Sequence, residues 1–222
     1  MEETGQPAIG RERDDPFRRH VGQYEAWFVE HENAYRAEIR AIEALMHPVA
    51  RGVEIGVGTG RFAAPLGIAL GFDPSLPMLR IARRRGIEVA AGVGESLPLP
   101  DSSFDLALMV TTVCFLDNLH RSFQELRRIL KPEGTILLGL VDRASTLGTE
   151  YLERKDESVF YRSARFYTVT EIIDALSKVG FQRFDYRQTL FVPLSETRLS
   201  EPVRPGFGEG SFVAIRARAL SH

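Results

Sequence analysis

The chain has 222 residues, 44% of them apolar, which is enough for one compact domain with a substantial core. Its 28 basic and 30 acidic residues leave a net charge of -2, so no positive field is available to recruit nucleic acid. The lone cysteine, Cys114, permits no internal disulfide, and the apolar runs are strand-sized. No secretory signal or membrane span is therefore expected, and the default location is cytoplasmic.

Residues 1–14 are polar, with Gly5, Pro7 and Gly10, and are expected to be disordered. A single α/β domain is expected over 15–222. An amphipathic pattern predicts one long helix over about 16–46, ending at Met46-His47-Pro48. Strands are predicted at about 52–56, 68–72, 87–91, 104–111 and 134–141. Helices are predicted over 76–85, closed by Gly86, and over 119–130, stopped by Lys131-Pro132-Glu133-Gly134. A long connection follows at 143–167. Thr168-Val169-Thr170-Glu171 then matches a capping box that opens a helix through Lys178, closed by Gly180. Two last strands, 181–192 and 211–218, are joined by a loop rich in Pro and Gly.

The most informative segment is Val53-Glu54-Ile55-Gly56-Val57-Gly58-Thr59-Gly60. It reads as a buried strand that breaks into three alternating glycines and feeds a helix. Such glycines allow a tight turn and let a ligand approach where a Cβ would collide. The dinucleotide fingerprint would need glycine at 61, and Arg61 stands there instead. Downstream, Gly67 to Phe72 is a second strand pattern ending in Asp73. In a right-handed βαβ unit both strands end on one side of the sheet, which brings Asp73 beside the glycine loop. There it can accept two hydrogen bonds from a ribose diol. Its alternative is helix capping, since Asp73-Pro74-Ser75 looks like a helix start.

Four blocks together resemble a class I S-adenosylmethionine-dependent methyltransferase of the small-molecule type, like the menaquinone- and ubiquinone-biosynthesis group. They are Glu54 to Phe62, Gly71-Phe72-Asp73-Pro74-Ser75, Gly94 to Asp105, and Glu125 to Gly134. The resemblance implies a Rossmann-like doubly wound sheet of order 3-2-1-4-5-7-6, strand 7 antiparallel, with helices on both faces. It also implies S-adenosyl-L-methionine as cofactor, with S-adenosyl-L-homocysteine as product, held by Glu54, Gly56, Gly58, Gly60, Asp73, Val93, Gly94, Val110 and Thr111. Glu54 would shape the loop and face the cofactor's ammonium side. The chain departs from the family in two places. The first crossover has room for an unusually short helix only, and Val93 stands where an acid often reaches adenine, leaving backbone groups and apolar packing to hold the base.

In open α/β sheets the ligand lies beyond the carboxyl ends of the parallel strands. Segments able to cover that rim are the N-terminal helix, with Tyr24 and Trp27, the 143–167 connection, with Phe160 and Arg165, and the loop around Phe207. As single residues these read equally as satellite core under long loops. Methyl transfer from a sulfonium needs in-line alignment and exclusion of water, and a base only when the acceptor must lose a proton. No catalytic residue stands out for that reason; Asp142 and His120 are the candidates, while His20 and His31 read as solvated helix residues. Val110-Thr111-Thr112-Val113 lacks the signature of amino-methylating nucleic-acid enzymes, and no acid cluster points to a metal. A small-molecule acceptor (amine, hydroxyl or activated ring carbon) is expected, without nucleic-acid or membrane partners. An NAD(P)-dependent oxidoreductase and a catalytically silent S-adenosylmethionine-binding module remain the alternatives.

Overall fold

The computed structural model describes residues 15–48 and 51–220; the expectation for 1–14 lies outside them. Eight strands form one sheet: β1 (Gly52–Ile55), β2 (Leu70–Asp73), β3 (Glu88–Ala91), β4 (Phe104–Val110), β5 (Leu130–Val141), β6 (Phe181–Thr189), β7 (Arg204–Pro205) and β8 (Phe212–Ala219). Their order is β3-β2-β1-β4-β5-β8-β6-β7. β1 to β5 run parallel, and β8 is antiparallel to both β5 and β6. This is the expected doubly wound topology. The difference is β7, where Arg204 and Pro205 pair with Gln188 and Arg187 at the edge.

The strands at the centre read as continuous apolar runs because both faces are covered. Along β4, Phe104, Ala107 and Met109 join one buried cluster, while Leu106, Leu108 and Val110 join the other. The first cluster is completed by α5 (Leu119–Ile129) and α7 (Val169–Lys178), through Phe123, Leu126, Ile172 and Leu176. The second is completed by α3 (Glu32–Glu43) and α4 (Leu76–Arg84), through Ala37, Ile42, Leu79 and Ala82. The capping box of α7 forms as expected, with reciprocal bonds between Thr168 and Glu171.

Two expectations are corrected. The predicted helix over 16–46 is three helices: α1 (Pro16–Arg19), α2 (Val21–Glu30) and α3. The breaks fall at His20 and His31, whose φ/ψ of -117°/34° and -112°/41° leave the helical region. A straight helix could not pack Ala34, Ala37 and Ala41 on the sheet and also carry Tyr24, Trp27 and Phe28 over its rim. The crossover from β1 to β2 carries turns in place of the expected helix. Pro65 lacks a donor, and Gly67, at φ +70°, ends the turn with an Ile68 N–H bond to the Ala63 carbonyl at 2.9 Å. The β3–β4 connection likewise has no α-helix. α6 (Thr146–Glu153) lies inside the long connection after β5. Among the described residues no helix is long and apolar enough to cross a membrane.

Candidate active site

The glycine loop is fastened to the end of β2: the N–H groups of Gly56 and Val57 both donate to the Phe72 carbonyl, at 2.7 and 2.9 Å. Gly56 and Gly58 adopt φ of +74° and +51°, backbone that side chains disfavour. A Cβ on Gly56 would meet the Thr112 side chain at 2.3 Å, and one on Gly58 would lie 3.2 Å from the Tyr24 hydroxyl. Gly60 shares that backbone, at φ +82°, but differs in what its missing Cβ would meet. Its missing Cβ makes room for Ile87 and Ala82, so this third glycine serves the packing of α4 against the loop.

Asp73 turns the chain into α4, whose N-cap is Ser75 with no side-chain cap of its own, and also ties the loop. Its Oδ1 accepts from the Ser75 amide at 2.8 Å and its Oδ2 from the Gly58 amide at 3.0 Å. Burial pushes its carboxyl up to about 6 against those two bonds. Glu54 lies beneath the loop, 1% exposed, and burial pushes its carboxyl well above the usual range, with the Asp73 charge adding to the effect. Its Oε2 has no hydrogen-bond partner. An orphaned carboxylate oxygen under a glycine loop is costly unless a ligand supplies the donor. Beyond the ends of β2 and β3, Leu76 and Val93 leave apolar surface exposed, and Gly94 is buried under Leu116. Val110 is buried, and Thr111 turns away from β4 at φ +49°.

The cover is held down by charge. Glu25 on α2 pairs with Arg61 of the loop and Arg85 at the end of α4, both at 2.6 Å, and accepts from the Thr59 hydroxyl. Burial opposes its ionisation, but the bonds from Arg85, Arg61 and Thr59 bring its carboxyl down to about 2. Arg61 also lies over the Phe28 ring, 5.1 Å from its centroid, which explains the residue that departs from the dinucleotide fingerprint. Around Tyr24 the cover is aromatic: Phe17 meets Phe115 and Phe160 at centroid distances of 4.9 and 5.2 Å. Burial, and then the charges of Asp73, Glu54 and Glu25, push the Tyr24 hydroxyl far above its ordinary range.

Between this cover and the strand rim is a cavity of about 400 Å³. Tyr24, Trp27 and Phe160 line it, as do Thr111 and Val141 at the strand ends. The other expected residues stand elsewhere. Asp142 is buried and caps a turn through the Ala144 amide at 2.9 Å. His120 is exposed at the start of α5. Arg165 is exposed and lies over the Tyr167 ring at 5.2 Å. Phe207 packs on Tyr186 at the far sheet edge, because its loop folds back to form β7. Residues that sequence reasoning passed over include Glu25, Glu38 and Tyr151. Glu38 was legible in principle, as a carboxylate on the apolar stripe of α3.

A family described as "Methyltransferase domain" matches residues 53–138. The crystal structure of a possible histamine N-methyltransferase from Thermotoga maritima, an S-adenosylmethionine-dependent enzyme, is 51% identical. It superposes with a TM-score of 0.89 over 91% of this chain and 97% of that one. An uncharacterized protein of Methanocaldococcus jannaschii is 42% identical over 92% of this chain and 98% of its own length. A malonyl-[acyl-carrier protein] O-methyltransferase of Geobacter sulfurreducens is 29% identical over 90% and 82%. With the fold, the glycine loop and the close relative in agreement, the chain belongs to the S-adenosylmethionine-dependent methyltransferases.

Proposed function

We propose that the protein transfers a methyl group from S-adenosylmethionine to a small organic acceptor held in the cavity under α1 and α2. The observation that carries this reading is the position of Tyr24, which stands on Gly58 of the glycine loop and also lines the cavity. One side chain thus borders both the cofactor loop and the space for an acceptor. When bound, S-adenosylmethionine supplies a methyl on a sulfonium, open to in-line attack by the acceptor's lone pair.

The residues present fit that cofactor. The orphaned Glu54 Oε2 offers an acceptor for the ammonium of its amino-acid end. Asp73, beside Gly58, has carboxylate lone pairs left for ribose hydroxyls. Leu76 and Val93 offer apolar walls for adenine, with backbone groups of Val93 and Gly94 in place of the missing acid. Gly56 and the Val110–Thr111 strand end complete the cradle. The protein's work is to align the acceptor and exclude water, and the aromatic cover of Phe17, Tyr24 and Phe160 serves the second need. Among the relatives, the names span a nitrogen and an oxygen acceptor. A concave space of this size favours a free small molecule over a macromolecular partner.

Isothermal titration tests the reading. S-adenosylhomocysteine is expected to bind in the micromolar range, about -8 kcal/mol, with no heat from NADH. The reverse pattern would overturn the assignment.

A further inference from the structure

On α3, the stripe that packs on the sheet is made of Ala34, Ala37, Ala41 and Ile42, and of Glu38, which is only 3% exposed. The Glu38 side chain lines the cavity, accepts no hydrogen bond and pairs with no cation among the described residues. Burial alone pushes its carboxyl up to about 8. A desolvated carboxylate without a partner is unfavourable, and it faces the one direction from which a guest can supply that partner. Aromatic rings flank the same space: Trp27, Phe28 and Tyr151 line it, with Tyr161 stacked on Tyr151 at 4.9 Å. The charged groups nearer its mouth are Glu30, Glu150, Glu157 and Arg154, and Arg154 is engaged by Glu150 at 3.7 Å and by Glu157 at 3.3 Å. The lining therefore offers carboxylates to a cation and no free cation to an anion.

We propose that the cavity takes an acceptor bearing an ammonium group, its charged nitrogen seated on the Glu38 carboxylate and its apolar body against Trp27, Phe28 and Tyr151. This rests on the methyltransferase reading and adds the acceptor class to it. Cation–π attraction from Trp27 adds to the charge pair in a space withdrawn from water. Carboxylate acceptors are disfavoured by Glu30, Glu150 and Glu157 nearer the mouth. Binding forms a charge-assisted hydrogen bond between an N–H of the guest and Glu38. With the carboxyl largely protonated at neutral pH, the arriving cation drives its ionisation and a proton leaves to solvent. The groups facing Glu38 that titrate nearby are Tyr35 on its own helix and Tyr151 and Tyr161 from the connection, and burial raises the range of all three.

Calorimetry on the full chain saturated with S-adenosylhomocysteine tests this with 2-phenylethylamine, tyramine and histamine as cationic probes, 2-phenylethanol as neutral probe and phenylacetate as anionic probe. At least one amine is expected to bind, with release of a proton seen as a dependence of heat on buffer. In Glu38→Gln that amine should bind about tenfold or more weakly, without proton release. Affinity for S-adenosylhomocysteine and for 2-phenylethanol should be unchanged. No binding by any amine, equal binding in Glu38→Gln, or preference for phenylacetate would overturn the assignment while leaving the methyltransferase reading intact. Failure of S-adenosylhomocysteine to bind wild-type protein would instead remove that reading and this one with it.

Discussion

Two carboxylates, the half-buried Asp73 and the buried Glu38, set the residue-scale behaviour of this protein, and they respond differently to mutation. Asp73→Ala removes an acceptor for the Gly58 amide as well as for ribose. It should weaken S-adenosylhomocysteine by about 1.5–3 kcal/mol, the loss expected for hydrogen bonds to a charged group. Titration of the variant checks this, and an unchanged affinity would leave Asp73 as a tie for the loop and the turn before α4 only. Glu38 works against the fold. Its carboxyl sits at about 8 when folded and at about 4.5 when unfolded, so the folded state holds the extra proton between those values. Stability is unaffected below about 4.5, falls as pH rises through that window, and is lowest above about 8. The linkage amounts to a penalty on the order of 3–5 kcal/mol at high pH. Glu38→Gln should therefore melt at nearly the wild-type temperature at pH 5 and well above it at pH 9. Equal melting temperatures at pH 9 would contradict a buried, unpartnered acid.

At the scale of elements, α2 acts as a cover clamped by one residue. Glu25 joins it to Arg61 of the glycine loop and Arg85 of α4. Because the Glu25 carboxyl is held at about 2, this contribution is present above its unfolded value near 4.5 and is lost as pH falls toward 2. Glu25→Ala should leave the sheet intact while amide exchange rises across residues 21–30; unchanged exchange there would show that aromatic packing alone holds the cover. Trp27 belongs to the same element, edge-on to Phe28 at 5.1 Å and lining the cavity. Trp27→Ala should lower turnover far more than S-adenosylhomocysteine affinity, since a cover acts by closing and positioning. A core role for Trp27 predicts a stability loss of about 3–5 kcal/mol instead, which a denaturant titration would detect.

Considered as a whole, the molecule is a sheet with a helical and aromatic cover over one end, and the two parts differed in how legible they were. The centre of the sheet could be read because β1, β2, β4 and β5 carry apolar runs, and the glycine loop with Asp73 marked where β1 and β2 end. The cover could not. A 3.6-residue pattern persists through His20 and His31, so amphipathicity gives no sign that the helix breaks there; the break is dictated by packing on two different surfaces. Phe207 was misplaced for a related reason, since nothing local says that its loop pairs with β6. Gly60 matched the ligand-binding pattern yet answers to Ile87. Binding should couple cover and sheet into one cooperative unit. S-adenosylhomocysteine at about a hundredfold its Kd is expected to add about 2.7 kcal/mol, raising the melting temperature by about 5–10 °C in a single transition. Two separate transitions in calorimetry would contradict that coupling.

Tyr24 stands on Gly58 and walls the cavity, and under the proposed function this sets an order of events in the catalytic cycle. That reading has the cofactor enter while α2 is raised and its ion pairs are broken. The acceptor, approaching beside Glu150 and Arg154, needs the cover already lowered to have a binding surface at all. Steady-state kinetics should therefore be ordered, with the cofactor on first and its product off last. Product inhibition by S-adenosylhomocysteine should be competitive against S-adenosylmethionine and noncompetitive against the acceptor. Higher ionic strength should hasten turnover once release of that product is the slow step, because salt weakens the Glu25 clamp.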